Sequence, residues 1–420
     1  MSLAKRYLDE IESRGYVPKD GAICLDEIED AALGMRLTPV ATNIYCKYCD
    51  SYKSGVPLDK LLDVVVDTIG YYYEDANQVL PWDNEMDGLT GSLDIDDVLY
   101  CLASDAFCSD SAEQIHKDLA TAIGHDRSYT PFYSRHSYHA DSILFGWEQF
   151  ENLVKFGTRV LLADSGPDSP SIQIKQFLDE VLPLATGSLN LVRPLPVGTS
   201  IYRGRLAEKP SDFEWNASEL GPAPKELAKT NRMSPAGVAL FYGSSDIETV
   251  AAEIARGDTR SIAVIGEFKT TEPLYILDFT AAPVQFSPFS VEYRAANVVG
   301  SFLEHFADQI SKPVIADGRE HIDYAPTQLI TEFLRWTPVQ YAEGITYPLD
   351  GIAWKNPDTE GKSYVVFTDL RGDKYFSTGQ NNEPEPPPKL TLAQSGIHAY
   401  HITRKYNLRE LDQDLAMLQR

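Results

Sequence analysis

The 420-residue sequence contains no continuous apolar run of about eighteen residues, which excludes an ordinary membrane-spanning helix. Its opening stretch, MSLAKRYLDE, lacks the apolar core of a secretory leader, so a cytoplasmic location is expected. Basic residues are scarce: 37 Lys and Arg face 62 Asp and Glu, a net charge of −25. Such a surface repels polyanions at long range, so neither nucleic acid nor an anionic membrane is expected as a partner. Cysteine is scarce too. The five residues Cys24, Cys46, Cys49, Cys101 and Cys108 all lie near the N-terminus. An odd count in a cytoplasmic chain argues against a disulfide framework. No internal repeat is visible.

What is present is enough apolar material, 43%, for an ordinary globular protein. The length suggests two or three domains. Residues 1–165 read as mostly helical, with helical spacing at 58–73, 95–107, 113–123 and 143–162. In the first of these Leu61, Leu62, Val65 and Ile69 form one stripe. Tyrosines at 45, 48, 52 and 71–73 are most simply packing residues. The Ser-Gly-Pro-Asp-Ser-Pro cluster at 165–170 marks a boundary. Residues 166–188 form a linker and connecting helix, the latter at 172–184. From 189 to 380 short strands alternate with helices. Strands are expected from Ile201 and at 238–242, 262–268, 274–278, 351–354 and 364–367, and helices at 247–256, 293–305 and 327–335. A proline-rich linker at 381–388 leads to a possible strand at 398–406 and a charged tail. The fold class is therefore α+β.

One stretch organises the rest. Ile201-Tyr-Arg-Gly-Arg205 is followed by Asn231-Arg-Met-Ser-Pro235, by Ala239-Leu-Phe-Tyr-Gly243 and by a helix from Ser245. Ser245 with Glu248 reads as a capping box, Ile247, Val250, Ala251 and Ile254 as a buried stripe, and Gly257 as a stop. Glu253 falls beside that stripe. A solvated helix-face glutamate is the equal alternative on position alone. Two arginines, a tyrosine and a carboxylate suit a ligand with phosphates, a sugar and an aromatic ring, such as a dinucleotide.

This order of motifs resembles the RES domain, a family named for its Arg, Glu and Ser. The resemblance continues through Tyr324-Ala-Pro-Thr-Gln328 with Glu332, and through Asp350-Gly-Ile-Ala-Trp354 to Gly361-Lys-Ser-Tyr-Val-Val-Phe367. It covers residues 189–367. RES proteins resemble ADP-ribosyltransferases in fold, and known members destroy NAD as toxins. The resemblance therefore implies a mostly helical N-terminal domain followed by an ADP-ribosyltransferase-like mixed α/β domain, with NAD+ as substrate. It makes Arg203 and Arg232 the phosphate ligands, Tyr242 the ring or ribose partner, Glu253 the carboxylate at the ribose, and Arg205 a supporting residue. Asn356 in Trp354-Lys-Asn-Pro357 stands where the family has serine. It can donate and accept hydrogen bonds but supplies no hydroxyl.

The N-terminal region is similar to the HEPN/RES N-terminal segment, whose members often carry C-x-x-C at two places. Here Cys46-Lys-Tyr-Cys49 is one pair, while Cys24-Leu-Asp-Glu27 offers a single cysteine. Zinc on Cys24, Cys46, Cys49 and Glu27 is one reading, and reduced thiols without metal are the plainer one. HEPN domains that cleave RNA use an arginine followed by four to six residues and a histidine. Arg135, His136 and His139 do not satisfy that spacing, nor does Arg127 with His136.

The expected activity is cleavage of the nicotinamide–ribose bond, as a glycohydrolase or phosphorylase. The alternatives are protein mono-ADP-ribosylation from the same site, or a non-catalytic nucleotide module, which the Asn356 departure motivates. No residue stands out as a base for water. A homo-oligomer and an antitoxin or regulatory protein are the expected partners.

Overall fold

The computed structural model describes residues 13–80, 82–83, 88–89, 91–131, 146–160, 169–212, 214–256, 258–312, 318–340, 346–367 and 389–402. The histidine cluster at 135–139, Gly257, the linker at 381–388, the tail from 403 and most of the turn cluster at 165–170 lie outside them. The chain divides into two compact units, neither continuous in sequence. One comprises Met1–Val192, Asn231–Met233 and Ala281–Tyr347; the other comprises Arg193–Thr230, Ser234–Thr280 and Pro348–Arg420.

The first unit is helical around an apolar centre. The Leu58–Tyr72 helix buries Leu58, Leu61, Leu62, Val65 and Ile69, the stripe expected from its spacing. Each such side chain contributes about 1.5–3 kcal/mol on leaving water. Ile95–Ala103 and Ala112–Ile123 pack Ile95, Val98, Leu99, Ile115 and Leu119 into the same core. Asp94 caps the former through a capping box. Of the segment expected as one helix over 143–162, residues 143–145 and 161–162 lie outside the described residues, and the rest holds a short helix, Trp147–Asn152, running into a wide turn at Leu153–Gly157. Trp147, Phe150, Phe177, Phe302 and Phe306 form a second, aromatic packing group, with Phe177 and Phe302 edge to face at 4.7 Å. Asp67 joins two arginines, Arg294 at 2.6 Å and Arg36 at 2.7 Å. Burial opposes its ionisation, but these bonds outweigh that and hold its carboxyl below the usual range.

A small sheet was not foreseen in this unit. Ser51–Pro57 lies between Ala22–Cys24 and Thr42–Cys46, antiparallel to both. These strands are short, and Thr42–Cys46 is largely exposed, so no apolar run announces them.

The second unit is built on eight strands. Their order across the sheet is Leu390–His401, Ile262–Thr270, Ser200–Ala207, Phe241–Ser244, Lys362–Val366, Gly351–Lys355, Leu274–Phe279 and Val192–Leu195. Leu274–Phe279 and Gly351–Lys355 run parallel. One face buries Ile201, Phe241, Val264, Phe268, Leu274, Ile276 and Val366. The other buries Leu206, Val250, Ala263 and Ile265, with Ile247 and Ile254 supplied by the Ile247–Ala255 helix. Gly204 permits this approach: a Cβ there would lie 2.8 Å from Val250 and 3.1 Å from Ile254. Lys389 and Asp350, both buried, pair at 2.8 Å, and Lys389 Nζ also donates to the Phe367 carbonyl.

Two local expectations are corrected. The helix is capped by Asp246, whose Oδ1 accepts from Thr249 N at 2.8 Å, and not by Ser245 with Glu248. Asp246 has the extended backbone of an N-cap, while the Ser245 hydroxyl donates to Asp246 and accepts from Lys362 N. The strand expected at 238–242 begins only at Phe241, because Gly237 has φ +88° and Val238 N closes a turn on the Pro235 carbonyl.

Candidate active site

The site is built from the Ile247–Ala255 helix and the strands beneath it. Val250 and Ile254 face the sheet, and Glu253, three positions after Val250, flanks them. Below, Ser244 pairs with Ser363, and Ser363 pairs with Trp354, across three neighbouring strands. Directly paired residues share a face. The Gly351–Lys355 strand ends at Asn356, whose backbone N–H closes a turn on the Gly361 carbonyl.

Glu253 receives donors from all three strands. Asn356 Nδ2 donates to Oε1 at 3.0 Å, the Ser363 hydroxyl donates to the same oxygen, and the Ser244 hydroxyl reaches Oε2 at 3.4 Å. Asn356 Nδ2 also donates to Ser363 Oγ at 3.2 Å, while its Oδ1 accepts from Asp358 N. That last bond fixes which way the amide faces. Asn356 and Ser363 are 2% and 1% exposed, so these donors are shielded from bulk water, while Glu253 itself is half-buried. Burial pushes the Glu253 carboxyl above its ordinary range. The bonds from Ser363, Asn356 and Ser244 and the charge of Arg256 oppose that shift without cancelling it.

Tyr242 lies two residues before Ser244 and so on the same face, with its phenol oxygen 3.1 Å from Ser234 Oγ. Arg203 lies between Tyr202 and Gly204, which face the helix, so strand alternation turns it to the opposite face. There its guanidinium sits over the Phe241 ring at 5.4 Å. Nε donates to the Leu220 carbonyl at 2.9 Å and Nη1 to the Tyr242 carbonyl at 2.6 Å. Burial, and then the charge of Arg205, lower the Arg203 pKa to about 10, while Tyr242 and Glu253 act the other way. Arg205 lies 3.9 Å from Glu219.

Arg232 belongs to the other unit. It stacks over Tyr324 at 5.0 Å and donates to the Gln309 carbonyl. The Tyr-x-x-Thr-Gln motif explains itself here: the Thr327 hydroxyl donates to the Arg232 carbonyl, and Gln328 Nε2 to the Asn231 carbonyl at 2.7 Å. The motif holds the arginine's backbone in place.

The structure thus joins Glu253 and Asn356 directly, sets Tyr242 on their face, puts Arg203 behind the same strands and leaves Arg232 in the other unit. Sequence reasoning did not single out Ser244 and Ser363. The available signal was a hydroxyl at an inward position of an apolar strand, as in Ser363-Tyr-Val-Val366.

A second cluster lies in the first unit. The ligand atoms of Cys24, Glu27, Cys46 and Cys49 all fall within 4.8 Å of one another. Among the described residues, no helix is long and apolar enough to cross a membrane.

A half-buried acid on a helix, held by donors from the sheet it covers, defines an α+β protein with a carboxylate-centred site. The family follows from two matches: residues 40–168 to the HEPN/RES N-terminal domain 1 and residues 205–377 to the RES domain. The chain is a RES-domain protein with a HEPN/RES N-terminal domain. RES domains are in general NAD-related, enzymatic and toxin-like. No curated protein and no solved structure matches the chain.

Proposed function

We propose that the chain consumes NAD+ by breaking the nicotinamide–ribose bond, with Glu253 as the carboxylate beside the reacting sugar. NAD+ and water give nicotinamide, ADP-ribose and a proton. The carbon–nitrogen bond breaks, its electron pair leaves with nicotinamide, and the water oxygen forms the new bond to the ribose carbon. Positive charge develops on the ribose as the first bond opens. A fixed carboxylate stabilises that charge more strongly than the ground state, which is what lowers a barrier.

The observation that carries this reading is the grip on Glu253 by Asn356, Ser363 and Ser244. Three donors hold a half-buried acid in one orientation and oppose its neutralisation. They also bear on the residue that departs from the family. Asn356 brings no hydroxyl, but Ser363 supplies one to the same carboxylate oxygen. That favours catalysis over a silent nucleotide-binding module. Tyr242, on the same face, is the proposed ring partner. Arg203, whose guanidinium meets the Leu220 and Tyr242 carbonyls behind these strands, is proposed to brace the Tyr242 strand.

Transfer of ADP-ribose to phosphate or to a protein would begin with the same bond cleavage and differ only in the acceptor. The test is incubation of the full chain with NAD+, with and without phosphate or cell protein, and identification of every product. Glu253→Gln should lower nicotinamide release by about 100- to 1000-fold, the usual cost of removing one oriented charge-stabilising group. Release at background rate by both proteins would overturn the proposal.

A further inference from the structure

We propose that Cys24, Cys46, Cys49 and Glu27 form a structural zinc site that locks the small sheet of the first unit. The site is independent of the NAD reading. Its ligands come from separate stretches. Cys24 ends the Ala22–Cys24 strand, and Glu27 ends the short 3-10 turn that follows. Cys46 closes the Thr42–Cys46 strand, and Cys49 lies in the hairpin turn leading to Ser51–Pro57. Cys24-x-x-Glu27 and Cys46-x-x-Cys49 share the spacing that lets one metal take both ends of a turn.

The geometry fits. Cys24 Sγ and Cys49 Sγ are 3.6 Å apart, and all four ligand atoms lie within 4.8 Å of one another. Zinc with thiolates at about 2.3 Å and tetrahedral angles sets ligand atoms about 3.7 Å apart. All five cysteines are free thiols. Cys24 and Cys46 are fully buried and Glu27 nearly so. A carboxylate buried among thiols is unfavourable unless something cationic or hydrogen-bonding meets it. Ser111 hydrogen-bonds its Oε2; a bound cation would answer the rest. Three soft sulfurs with one oxygen select zinc over magnesium or calcium, and four protein ligands make a closed, structural site.

The surroundings are those of a held ligand set. Ser51 Oγ lies 3.0 Å from Cys49 Sγ. The turn between the paired cysteines is pinned to the Ala112–Ile123 helix, because Lys47 and Tyr48 both meet Asp118, at 2.5 and 3.0 Å. Such partners around a metal's ligands orient them. Opposite Cys24 stands Gly55, where a Cβ would lie 2.7 Å from the Cys24 Cα, so glycine is what allows that strand to come in.

The test uses the full chain, purified reduced and without chelator. Elemental analysis should find one equivalent of zinc per chain. Cobalt exchanged into the site should give thiolate-to-metal charge transfer and tetrahedral ligand-field bands. Cys49→Ser should lose the metal, while Cys108→Ser, outside the cluster, should keep it. Glu27→Cys should retain metal and move the cobalt bands to those of an all-thiolate set, which places residue 27 in the coordination sphere. If Cys49→Ser does not fold, the wild-type and Glu27→Cys spectra still decide. Reduced wild-type protein that holds no zinc and takes up neither zinc nor cobalt overturns the site. A cobalt spectrum unchanged by Glu27→Cys overturns Glu27 as its fourth ligand.

Discussion

Removing the Ser363 hydroxyl is the sharpest probe of the grip on Glu253. Ser363→Ala deletes one oxygen from a fully buried position and leaves the strand backbone pairing with Ser244 and Trp354 intact. Two interactions vanish: the donor to Glu253 Oε1 and the acceptor for Asn356 Nδ2. A hydrogen bond to a charged group is worth about 1.5–3 kcal/mol. Expressed fully in the transition state, that is roughly a 10- to 160-fold fall in kcat/KM. The effect must also depend on pH. The Ser363 bond favours the ionised carboxyl, so its loss raises a pKa that burial has already raised. Activity needs the carboxylate, so the acid limb of the kcat/KM profile moves to higher pH in Ser363→Ala. The deficit is then greatest at low pH and shrinks as pH rises.

The assay is nicotinamide release measured across pH for wild type, Ser363→Ala and Ser363→Thr. The threonine variant keeps the hydroxyl and should restore the position of the acid limb, even if its extra methyl costs some rate. A merely structural serine gives a different pattern: a loss equal at every pH, tracking a lower melting temperature. That pattern, or an unchanged profile in Ser363→Ala, would refute the assignment of Ser363 to the carboxylate.

Two further outcomes follow from the same geometry. In Gly204→Ala the added methyl meets Val250 and Ile254, so the Glu253 helix is pushed off its strands. Overpacking of this kind costs about 1–3 kcal/mol, read from urea unfolding, and nicotinamide release should fall with it. Glu253→Gln should melt at a higher temperature than wild type at neutral pH. A carboxyl whose folded pKa is raised contributes stability that is present below its unfolded pKa and lost as pH rises through the folded value. Wild type therefore carries that penalty at neutral pH, the glutamine variant does not, and the difference should close on acidification. A variant whose advantage over wild type is no larger at neutral pH than at acid pH would contradict the burial argument.

How much of this was legible in the sequence depends on whether the signal is local. The Ile247–Ala255 helix is readable because its stripe repeats every three or four residues. Its cap was misplaced by one residue, because Ser245 and Asp246 are both good cap types and only the backbone decides between them. The Leu58–Tyr72 helix was readable for the same reason as the first, whereas Ala22–Cys24 and Thr42–Cys46 carry too few residues to show a period of two. Family motifs marked Glu253 and Asn356, but not what holds them. Ser363 matters only because its strand lies between Phe241–Ser244 and Gly351–Lys355, and that neighbour order is set by sheet topology. The cysteines make the same point in the first unit. The sequence offers Cys24, Glu27, Cys46 and Cys49 as one candidate set, but only the register of Ala22–Cys24 on Ser51–Pro57 brings their ligand atoms within 4.8 Å of one another. In both places pairing between distant strands is what gives the residues their chemistry.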